Sequence, residues 1–286
     1  MPQNGQKISS IRRAARWFIR FGLRSRLALS STRTKRFRNA RLNWREFWHG
    51  QTQLHSFPLH LQVGTNLTCN LRCIFCQNYD ISHLGRGEKA SPSQFASHMI
   101  RLQDMGCHNI NFVTPTHYTP QIVASLPEAI GLGLNLPLVY NCSGYESLEV
   151  IKLLDGIIDI YMPDTKYAGE EPAKRFSNAP DYPHVLKEVL KEMHRQVGDL
   201  QMDQNGIAQR GLLIRHLVMP EDLAGTEDLM KFIVGEISRD SYVNIMQQYR
   251  PQHKSFDYPE LRRRITYGEY LDAVKVARHF GLHRGF

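Results

Sequence analysis

From about residue 59 onward, the sequence alternates short apolar runs with longer amphipathic stretches. Six runs have the composition of buried strands: LHLQV, INFV, LPLVY, IIDIYM, GLLIRHLVM and YVNIM. The stretches that follow them have apolar residues at helical spacing, at residues 93–104, 121–132, 147–154, 183–197, 226–237 and 267–280. Because parallel strands need crossover connections, this alternation predicts βα units around a parallel sheet. A doubly wound sheet and a barrel both satisfy the pattern.

Polar residues collect directly after the predicted strands. A cysteine-rich loop follows LHLQV, and the segments TPTH, NCSGY, PDTKY and QQYRP follow four of the other runs. In parallel α/β folds, chemistry gathers beyond the carboxyl ends of the strands. The pattern therefore predicts one site that is built from several loops at the same edge of the sheet.

Three of the five cysteines, Cys69, Cys73 and Cys76, fall within eight residues. Their spacing is also that of one helix face, and a free cysteine behaves as a small buried hydrophobe. Polar residues interrupt the segment, however, and no apolar stripe continues on either side of it. A structural zinc site needs a fourth ligand, for which His83 is the nearest candidate, and no second pair of cysteines accompanies the triplet.

An iron–sulfur cluster accounts for the triplet better, because cysteine thiolates are its usual ligands. Three thiolates on a four-iron cluster leave one iron open to bind something else, as catalytic metal sites do. We therefore favour an open [4Fe-4S] cluster over zinc or buried thiols. Five cysteines, three of them clustered, do not indicate a set of disulfides. The pattern is more typical of a protein in a reducing compartment. The other two cysteines, Cys107 and Cys142, are interpreted as packing residues.

The motif C-x3-C-x2-C resembles the signature of the radical S-adenosylmethionine (SAM) enzymes. A longer similarity, from Cys69 to the C-terminus, is to homologues of pyruvate formate-lyase activating enzyme. It is carried by CNLRCIFCQNYDIS, GCHNINFVTPTHYTPQI, VYNCSGYES, LLDGIIDIYMPDTKY, APDYPHV, EMHRQVGDL, RGLLIRHLVMP and YVNIMQQYRP. The resemblance implies an α/β fold of the partial (β/α)6 TIM-like barrel type. It also implies that SAM binds the open iron and that one electron cleaves it to methionine and a 5′-deoxyadenosyl radical.

The resemblance assigns roles to individual residues as well. It implies that Cys69, Cys73 and Cys76 hold the cluster and that Phe75 flanks the adenine of SAM. The implied SAM pocket comprises Thr114, Thr116, Asn141, Ser143, Asp164 and Lys166, with Asp164 near the ribose and Lys166 near the carboxylate. The implied substrate side comprises Arg215, His216, Gln248, Tyr249 and Arg250. Relatives often have Gly-Gly-Glu after the second strand, where this chain has Thr-Pro-Thr-His.

The positive charge of the chain is concentrated at its N-terminus. Before Glu46 there is no acidic residue, while lysine and arginine contribute 13 positive charges. The rest of the chain has 23 lysines and arginines against 27 acidic residues, so the body is mildly acidic. We therefore expect an arm at residues 1–50 and a radical SAM core domain at residues 51–286. No apolar stretch is long enough to span a membrane.

The arm has arginines on one helical face and apolar residues on the other. This pattern is typical of a mitochondrial transit peptide, of a basic helix on an anionic membrane or nucleic acid, and of a solvated tail. The expected location is cytoplasmic in a bacterium and the mitochondrial matrix in a eukaryote.

The resemblance implies a flavodoxin- or ferredoxin-like electron donor and, as substrate, a glycine on a glycyl-radical enzyme. A second enzyme hypothesis is radical modification of a small molecule or a nucleic acid. A hypothesis of a different class is a zinc-stabilised binding module.

Overall fold

The computed structural model describes residues 69–82 and 90–286. The arm at residues 1–50, the first predicted strand and His83 lie outside the described residues, so the domain boundary at residue 50 stays a prediction. The chain divides into two compact units. Of the described residues, the first comprises 69–70, 80–82, 90–138 and 153–158, and the second comprises 71–79, 139–152 and 159–286.

The described helices and strands follow the predicted alternation. The helices are α1 (Tyr79–Ser82), α2 (Pro92–Asp104), α3 (Thr119–Gly131), α4 (Leu148–Leu153), α5 (Glu170–Ser177), α6 (Tyr182–Val197), α7 (Thr226–Phe232) and α8 (Tyr267–His279). The strands are β1 (Ile110–Val113), β2 (Leu138–Cys142), β3 (Ile160–Thr165), β4 (Gln201–Met202), β5 (Ala208–Leu217) and β6 (Tyr242–Met246). Helix α7 continues into a π-helical turn, Ile233–Ile237. Helices α1 and α5 and strand β4 were not predicted.

Two details show how local sequence sets these bounds. Helix α2 begins after Ser91, whose side chain accepts a hydrogen bond from the Gln94 amide while the Gln94 side chain accepts one from Ser91. This capping box satisfies amides that a helix start leaves without partners. Strand β3 begins at Ile160 rather than at the predicted Ile157, because the Ile157 amide donates to Leu154 in the turn after α4.

In the first unit, strand β1 packs against helix α2. The rings of Phe95 in α2 and Phe112 in β1 lie 5.9 Å apart and are both buried. The Ile110 amide donates to the Pro137 carbonyl at 2.9 Å, which aligns the start of the strand with the segment that precedes β2. The strand leads into a 3-10 turn, Pro115–His117, and then into α3.

The second unit contains a mostly parallel sheet. In this unit β2 pairs with β3, β3 with β5, and β5 with β6, all in parallel, while the short β4 runs antiparallel to the beginning of β5. Parallel pairs need crossovers, which the intervening helices supply. The α/β class predicted from the alternation is therefore confirmed. None of the described helices is long and apolar enough to cross a membrane.

The two faces of this sheet differ in what covers them. On one face, here called the site face, Val139 and Ile160 pack with Leu200, and Met162 and Leu213 lie against them. On the other, here called the helix face, Tyr140 and Tyr161 contact each other edge to face. The Tyr161 hydroxyl donates to Gln196 of α6 at 2.7 Å. Since side chains alternate along a strand, every residue of β2, β3, β5 and β6 belongs to one face or the other.

Candidate active site

The loop that contains Cys73 and Cys76 is anchored by backbone hydrogen bonds on both sides. The amides of Arg72 and Ile74 donate to the carbonyls of Ser177 and Phe176, at 3.1 and 2.9 Å. The Ile74 carbonyl accepts from the Lys254 amide at 2.8 Å. The last carbonyls of a helix have no partner within it, so the end of α5 is free to accept from the loop. The loop conformation is thus set by two neighbouring segments of the second unit.

The thiol of Cys73 lies at the end of a buried hydrogen-bond chain. The Ser177 hydroxyl donates to Cys73 Sγ at 3.0 Å, and Tyr167 Oη lies 2.8 Å from Ser177 Oγ. Because the proton of Ser177 is directed at sulfur, Tyr167 donates to Ser177. Burial raises the pKa of the Cys73 thiol, while the charge of Lys166 and the Ser177 hydrogen bond counteract this rise. The groups that favour a thiolate are therefore already in place.

The ring of Phe75 is buried in an aromatic cluster next to this chain. It meets Tyr167 and Tyr249 edge to face, with ring centroids 6.5 and 5.8 Å apart. The Tyr249 hydroxyl donates to the Leu261 carbonyl at 2.7 Å, which fixes the ring that supports Phe75. Edge-to-face contacts of this kind stabilise a pair beyond its buried area. Phe75 therefore holds the cysteine loop onto the segment after β6.

Three charged side chains meet on the site face at the ends of β3 and β5. Asp164 forms an ion pair with Lys166 and accepts hydrogen bonds from Arg215, whose Nε lies 2.8 Å from Oδ1. Burial disfavours the charged form of Asp164, but the charges and hydrogen bonds of Lys166 and Arg215 outweigh it and lower the pKa of the carboxyl. Two cations facing one carboxylate leave one positive charge in excess. The cluster is thus suited to an anionic group of a ligand.

A tyrosine of helix α6 joins the ends of β2 and β3. The Tyr182 hydroxyl accepts from the Lys166 amide at 3.0 Å and lies 2.9 and 2.8 Å from the carbonyl oxygens of Ser143 and Asp164. Gly144 lies at the same junction with φ of +75°, and a Cβ there would come within 2.4 Å of the Asp164 carbonyl. Only glycine fits this backbone conformation and this approach. The predicted SAM-pocket residues that follow β2 and β3 are therefore held in a fixed geometry.

Asn141 and Asn244 extend the polar part of the site face. Asn141 is 7% exposed and, two positions after Val139 in β2, lies on the same face of the sheet. Asn244 of β6 is paired in register with Arg215 and is half-buried. Sequence reasoning missed Asn244, although the alternation of YVNIM places it on the same face as Arg215 once the register is known.

The residue after β1 has an unusual backbone. Thr114 adopts the left-handed conformation with φ of 51° and ψ of 53°, which a β-branched residue rarely does. Such strain persists where the surroundings enforce it, and it clusters at functional sites. This is the position where the resemblance implies contacts to the methionine part of SAM. Cys69, Thr114 and Thr116 belong to the first unit, and the other predicted site residues belong to the second.

The structure brings Arg215 to the site face but not His216. His216 is fully buried on the helix face, with Nδ1 3.2 Å from the Thr165 carbonyl and Nε2 3.1 Å from Thr226 Oγ1. Burial lowers its pKa to about 4, so the ring is neutral at pH 7. Neighbours on a strand point to opposite faces, and the register that decides which one faces the ligand cannot be read from the segment RH alone. Cys142 is buried on the helix face as well.

The last predicted residues line a cleft of about 630 Å³ after β6. Gln248, Tyr249 and Arg250 form one wall, and Arg264 to Tyr267 form another. Gln77, the residue after Cys76, also lines the cleft, and its Nε2 donates to the Gln248 carbonyl at 3.3 Å. Sequence reasoning missed Gln77, Arg264 and Tyr267, because no local pattern indicates that these distant segments meet.

Comparison with protein families identifies the cysteine loop and the strands that follow it. The profile of the radical SAM superfamily matches residues 65–233, more than half of the chain. The chain belongs to the radical SAM superfamily. A 32% identical relative, an uncharacterized protein of Methanocaldococcus jannaschii, aligns over 222 residues, which are 75% of this chain. The aligned part is 61% of the length of that relative.

Two solved structures of radical SAM proteins resemble this chain. A radical SAM methyltransferase from Sphaerobacter thermophilus is 16% identical with a TM-score of 0.51, and the match covers 78% of this chain and 63% of the other. The FeFe-hydrogenase maturase HydG from Carboxydothermus hydrogenoformans is 11% identical with a TM-score of 0.51, covering 98% and 69%. At these identities the likeness shows the fold alone, and it confirms the predicted fold of the radical SAM type.

Radical SAM proteins typically bind a [4Fe-4S] cluster and SAM, and the cysteines of this chain fit the cluster. The donor set is a cysteine triplet, the chemistry of iron–sulfur sites. The Ser177 hydroxyl donates a hydrogen bond to Cys73 Sγ, and hydrogen bonds to the sulfurs are a general feature of iron–sulfur sites. Within residues 69–82 and 90–286, no three His, Cys, Asp or Glu side chains converge on a point that could hold a single metal ion. The thiolates of a four-iron cluster bind different irons and need no such convergence.

Proposed function

We propose that this protein is a radical SAM enzyme that holds a [4Fe-4S] cluster through Cys69, Cys73 and Cys76 and binds SAM beside it. When bound, the cluster and SAM supply a 5′-deoxyadenosyl radical that abstracts hydrogen from a substrate. The chain itself positions the cofactors and excludes water and stray hydrogen donors from the radical. The long similarity to homologues of pyruvate formate-lyase activating enzyme supports a glycine on a glycyl-radical partner as one candidate substrate.

The observation that carries the proposal is the charged cluster on the site face. Asp164 retains acceptor capacity for ribose hydroxyls, because its neighbours hold it in the ionised form. The charge of Lys166 acts on Cys73, and its ammonium suits the carboxylate of SAM. Arg215 donates to Oδ1 of Asp164 whereas Lys166 contacts Oδ2, so the two cations together fix the orientation of the carboxylate. SAM is a sulfonium compound that contains both an amino acid and a ribose, so its carboxylate and its ribose hydroxyls would find partners on Lys166 and Asp164, two positions apart in the sequence.

Three further expectations are part of the proposal. A flavodoxin- or ferredoxin-like protein would donate the electron. The basic arm at residues 1–50 would contact an anionic membrane or nucleic acid. The protein would act in the bacterial cytoplasm or, in a eukaryote, in the mitochondrial matrix.

Anaerobic reconstitution with iron and sulfide, followed by an assay for 5′-deoxyadenosine, tests the proposal. The wild-type protein should become brown and cleave SAM when it is reduced, and Cys73→Ala should lose both properties because too few thiolates are left. Cys107→Ala is the matched control and should keep its iron. Equal loss of iron in the two variants would contradict the assignment. A colourless protein that binds stoichiometric zinc would favour the binding-module hypothesis instead.

A further inference from the structure

The cleft after β6 has a lining that the proposed cluster and SAM do not use. Its volume of about 630 Å³ lies in the range of small-molecule sites, and it is open to solvent. Three glutamines, two arginines and two tyrosines contribute to its walls, and of the tyrosines Tyr249 is buried and Tyr267 is exposed. The other five are Gln77, Gln247, Gln248, Arg250 and Arg264. The lining therefore offers hydrogen-bonding amides, positive charge and one aromatic surface.

The two arginines of the cleft form no ion pair with an acidic side chain among the described residues. Arg263 is bound by both carboxylate oxygens of Glu269, and Arg175 pairs with Glu260. Arg250 and Arg264 are exposed and form no ion pair within the described parts of the chain. Planar guanidinium groups that are not neutralised internally suit phosphate oxygens, which they bind in a bidentate manner.

The surrounding segment has the opposite charge to the rest of the body. Residues 247–267 contain five lysines and arginines and two acidic residues, whereas the chain from residue 46 onward is acidic overall. Two of the large apolar side chains that the described structure leaves exposed are aromatic and lie in this segment, Phe256 at 62% and Tyr267 at 69%. Positive charge interleaved with exposed aromatic rings is typical of surfaces that bind single-stranded nucleic acid, since the phosphates meet cations and the bases stack on rings.

The cleft is attached directly to the cysteine loop. Gln77 follows Cys76 and donates to the Gln248 carbonyl, and the Lys254 amide donates to Ile74 between the second and third cysteines. The ring of Tyr79 stacks on His253 with centroids 4.1 Å apart. A ligand in the cleft would therefore contact the segment that also supports the proposed cluster.

We propose that this cleft binds a nucleotide of single-stranded nucleic acid, with a base stacked on Tyr267 and phosphates bound by Arg250 and Arg264. The glutamine amides would bind the edge of the base, where they can both donate and accept. That this nucleic acid is the substrate of hydrogen abstraction rests on the proposed function. The binding itself does not.

The experiment uses a ten-nucleotide uridine RNA that contains one 2-aminopurine, titrated with the full chain without SAM or reductant. The test variant is Arg250→Gln/Arg264→Gln. The matched control, Arg239→Gln/Arg278→Gln, removes the same charge at exposed positions outside the cleft. Both doubles retain the basic arm, and only the control retains the intact cleft. A loss of affinity that is confined to the test variant therefore identifies binding in the cleft. A plot of log K against log salt concentration becomes less steep by about 0.7 for each phosphate contact that is lost. The slope of the test variant should therefore be smaller than that of the wild type by about 1.4.

Stacking is tested separately with Tyr267→Leu and Tyr267→Phe. The leucine variant should bind the RNA roughly five- to hundredfold more weakly and should lose the quenching of 2-aminopurine, while phenylalanine retains both. If Tyr267 were only structural, the leucine and phenylalanine variants would quench 2-aminopurine to the same extent.

Several outcomes would overturn the proposal. Equal losses in the test and control doubles would assign the binding to general charge. Uridine monophosphate bound as tightly as the decamer would assign the cleft to a free nucleotide. Unchanged RNA affinity in the test variant, together with slower reduction by a flavodoxin, would assign it to an acidic protein. Absence of RNA binding in a protein that cleaves SAM would refute this inference alone, whereas RNA binding by a protein that never forms a cluster would refute the proposed function alone.

Discussion

The two faces of the sheet in the second unit both contain buried polar groups, but they satisfy them differently. On the helix face, His216 lies between Thr165 and Thr226, and Tyr161 donates to Gln196. Each of these groups finds its partners inside the protein. On the site face, Asp164, Lys166 and Arg215 satisfy one another only in part and leave a net positive charge. The helix face has the chemistry of a structural core, and the site face has that of a binding site.

This contrast teaches that burial and a displaced pKa do not identify a functional residue by themselves. His216 has a strongly lowered pKa and full burial, and it follows Arg215 directly in the sequence. Its partners nevertheless make it a structural residue of the helix face. What distinguishes Asp164 is that its partners are charged and face the side of the sheet where the strand ends meet the cysteine loop. The predictions below test this division.

The largest effect is expected on the helix face in acid. Burial lowers the pKa of folded His216 to about 4, below the unfolded value, so its contribution to stability is complete above pH 6.5 and is lost as the pH falls toward 4. The wild-type protein should lose about 3 kcal/mol of unfolding free energy from this residue between pH 7 and pH 4. His216→Gln should remove that part of the pH dependence, as measured by urea unfolding at both pH values.

The exposed His184 provides the control for this comparison, and His184→Gln should leave the pH dependence as it is in the wild type. His216→Gln should also leave the affinity for SAM unchanged. A variant at His216 that binds SAM more weakly while it unfolds like the wild type would place this residue in the site and break the division of the faces.

A smaller but functional effect is expected on the site face. Asp164→Asn and Lys166→Met each remove a charge-assisted hydrogen bond to SAM, worth about 1.5–3 kcal/mol. Both should weaken SAM binding by roughly ten- to a hundredfold, with normal iron content in the reconstituted protein. Lys174→Met, at an exposed position of α5, is the control. Titration of SAM measures the difference, and wild-type affinity in both variants would show that the ion pair is structural.

The smallest effect tests the hydrogen-bond chain that runs from Tyr167, after the end of β3, through Ser177 to Cys73. Ser177→Ala removes the hydroxyl that donates to Cys73 Sγ. Hydrogen bonds to cluster sulfurs stabilise the reduced, more negative state, so the variant should have a lower reduction potential than the wild type. Tyr167→Phe should shift the potential in the same direction and by less. An EPR-monitored redox titration measures both.

Ser255→Ala is the matched control, because Ser255 is equally buried but its hydroxyl bonds Gln252 and Tyr249 rather than a cysteine. It should have the potential of the wild type. Identical potentials in Ser177→Ala and Ser255→Ala, at full iron content, would show that the Ser177 hydroxyl does not act on the cluster.

The strands and most helices were predictable because their patterns are local. YVNIM is a strand at the predicted bounds, and the apolar period of residues 183–197 matches helix α6 within one residue. Helix α5 was not predictable, since its eight residues contain a proline and four charges and it ends at Asn178 in the left-handed conformation. Sequence spacing also placed Asp164 and Lys166 correctly on one side of an extended segment.

The rest of the site depends on contacts between distant segments, which no local pattern encodes. The Ser177 hydroxyl meets Cys73 across 104 positions, and Gln77 meets Gln248 across 171. The backbone of Thr114 is likewise enforced by its surroundings, because the residue type alone disfavours it. The residue type can suggest that a side chain binds a ligand. Only the register of the sheet decides whether Arg215 or His216 lies on the site face.

The anchoring of the cysteine loop bears on how iron would be loaded. Hydrogen bonds from Arg72, Ile74 and Lys254 hold the loop between the end of α5 and the turn after β6 by polypeptide contacts alone. Fixing a backbone costs about 1–2 kcal/mol per residue in conformational entropy, and these hydrogen bonds offset part of that cost without involving a metal ligand. The loop therefore differs from a zinc finger, in which metal binding drives folding. We expect loss of iron to leave the backbone of this loop in place, because none of these three hydrogen bonds involves a cysteine side chain.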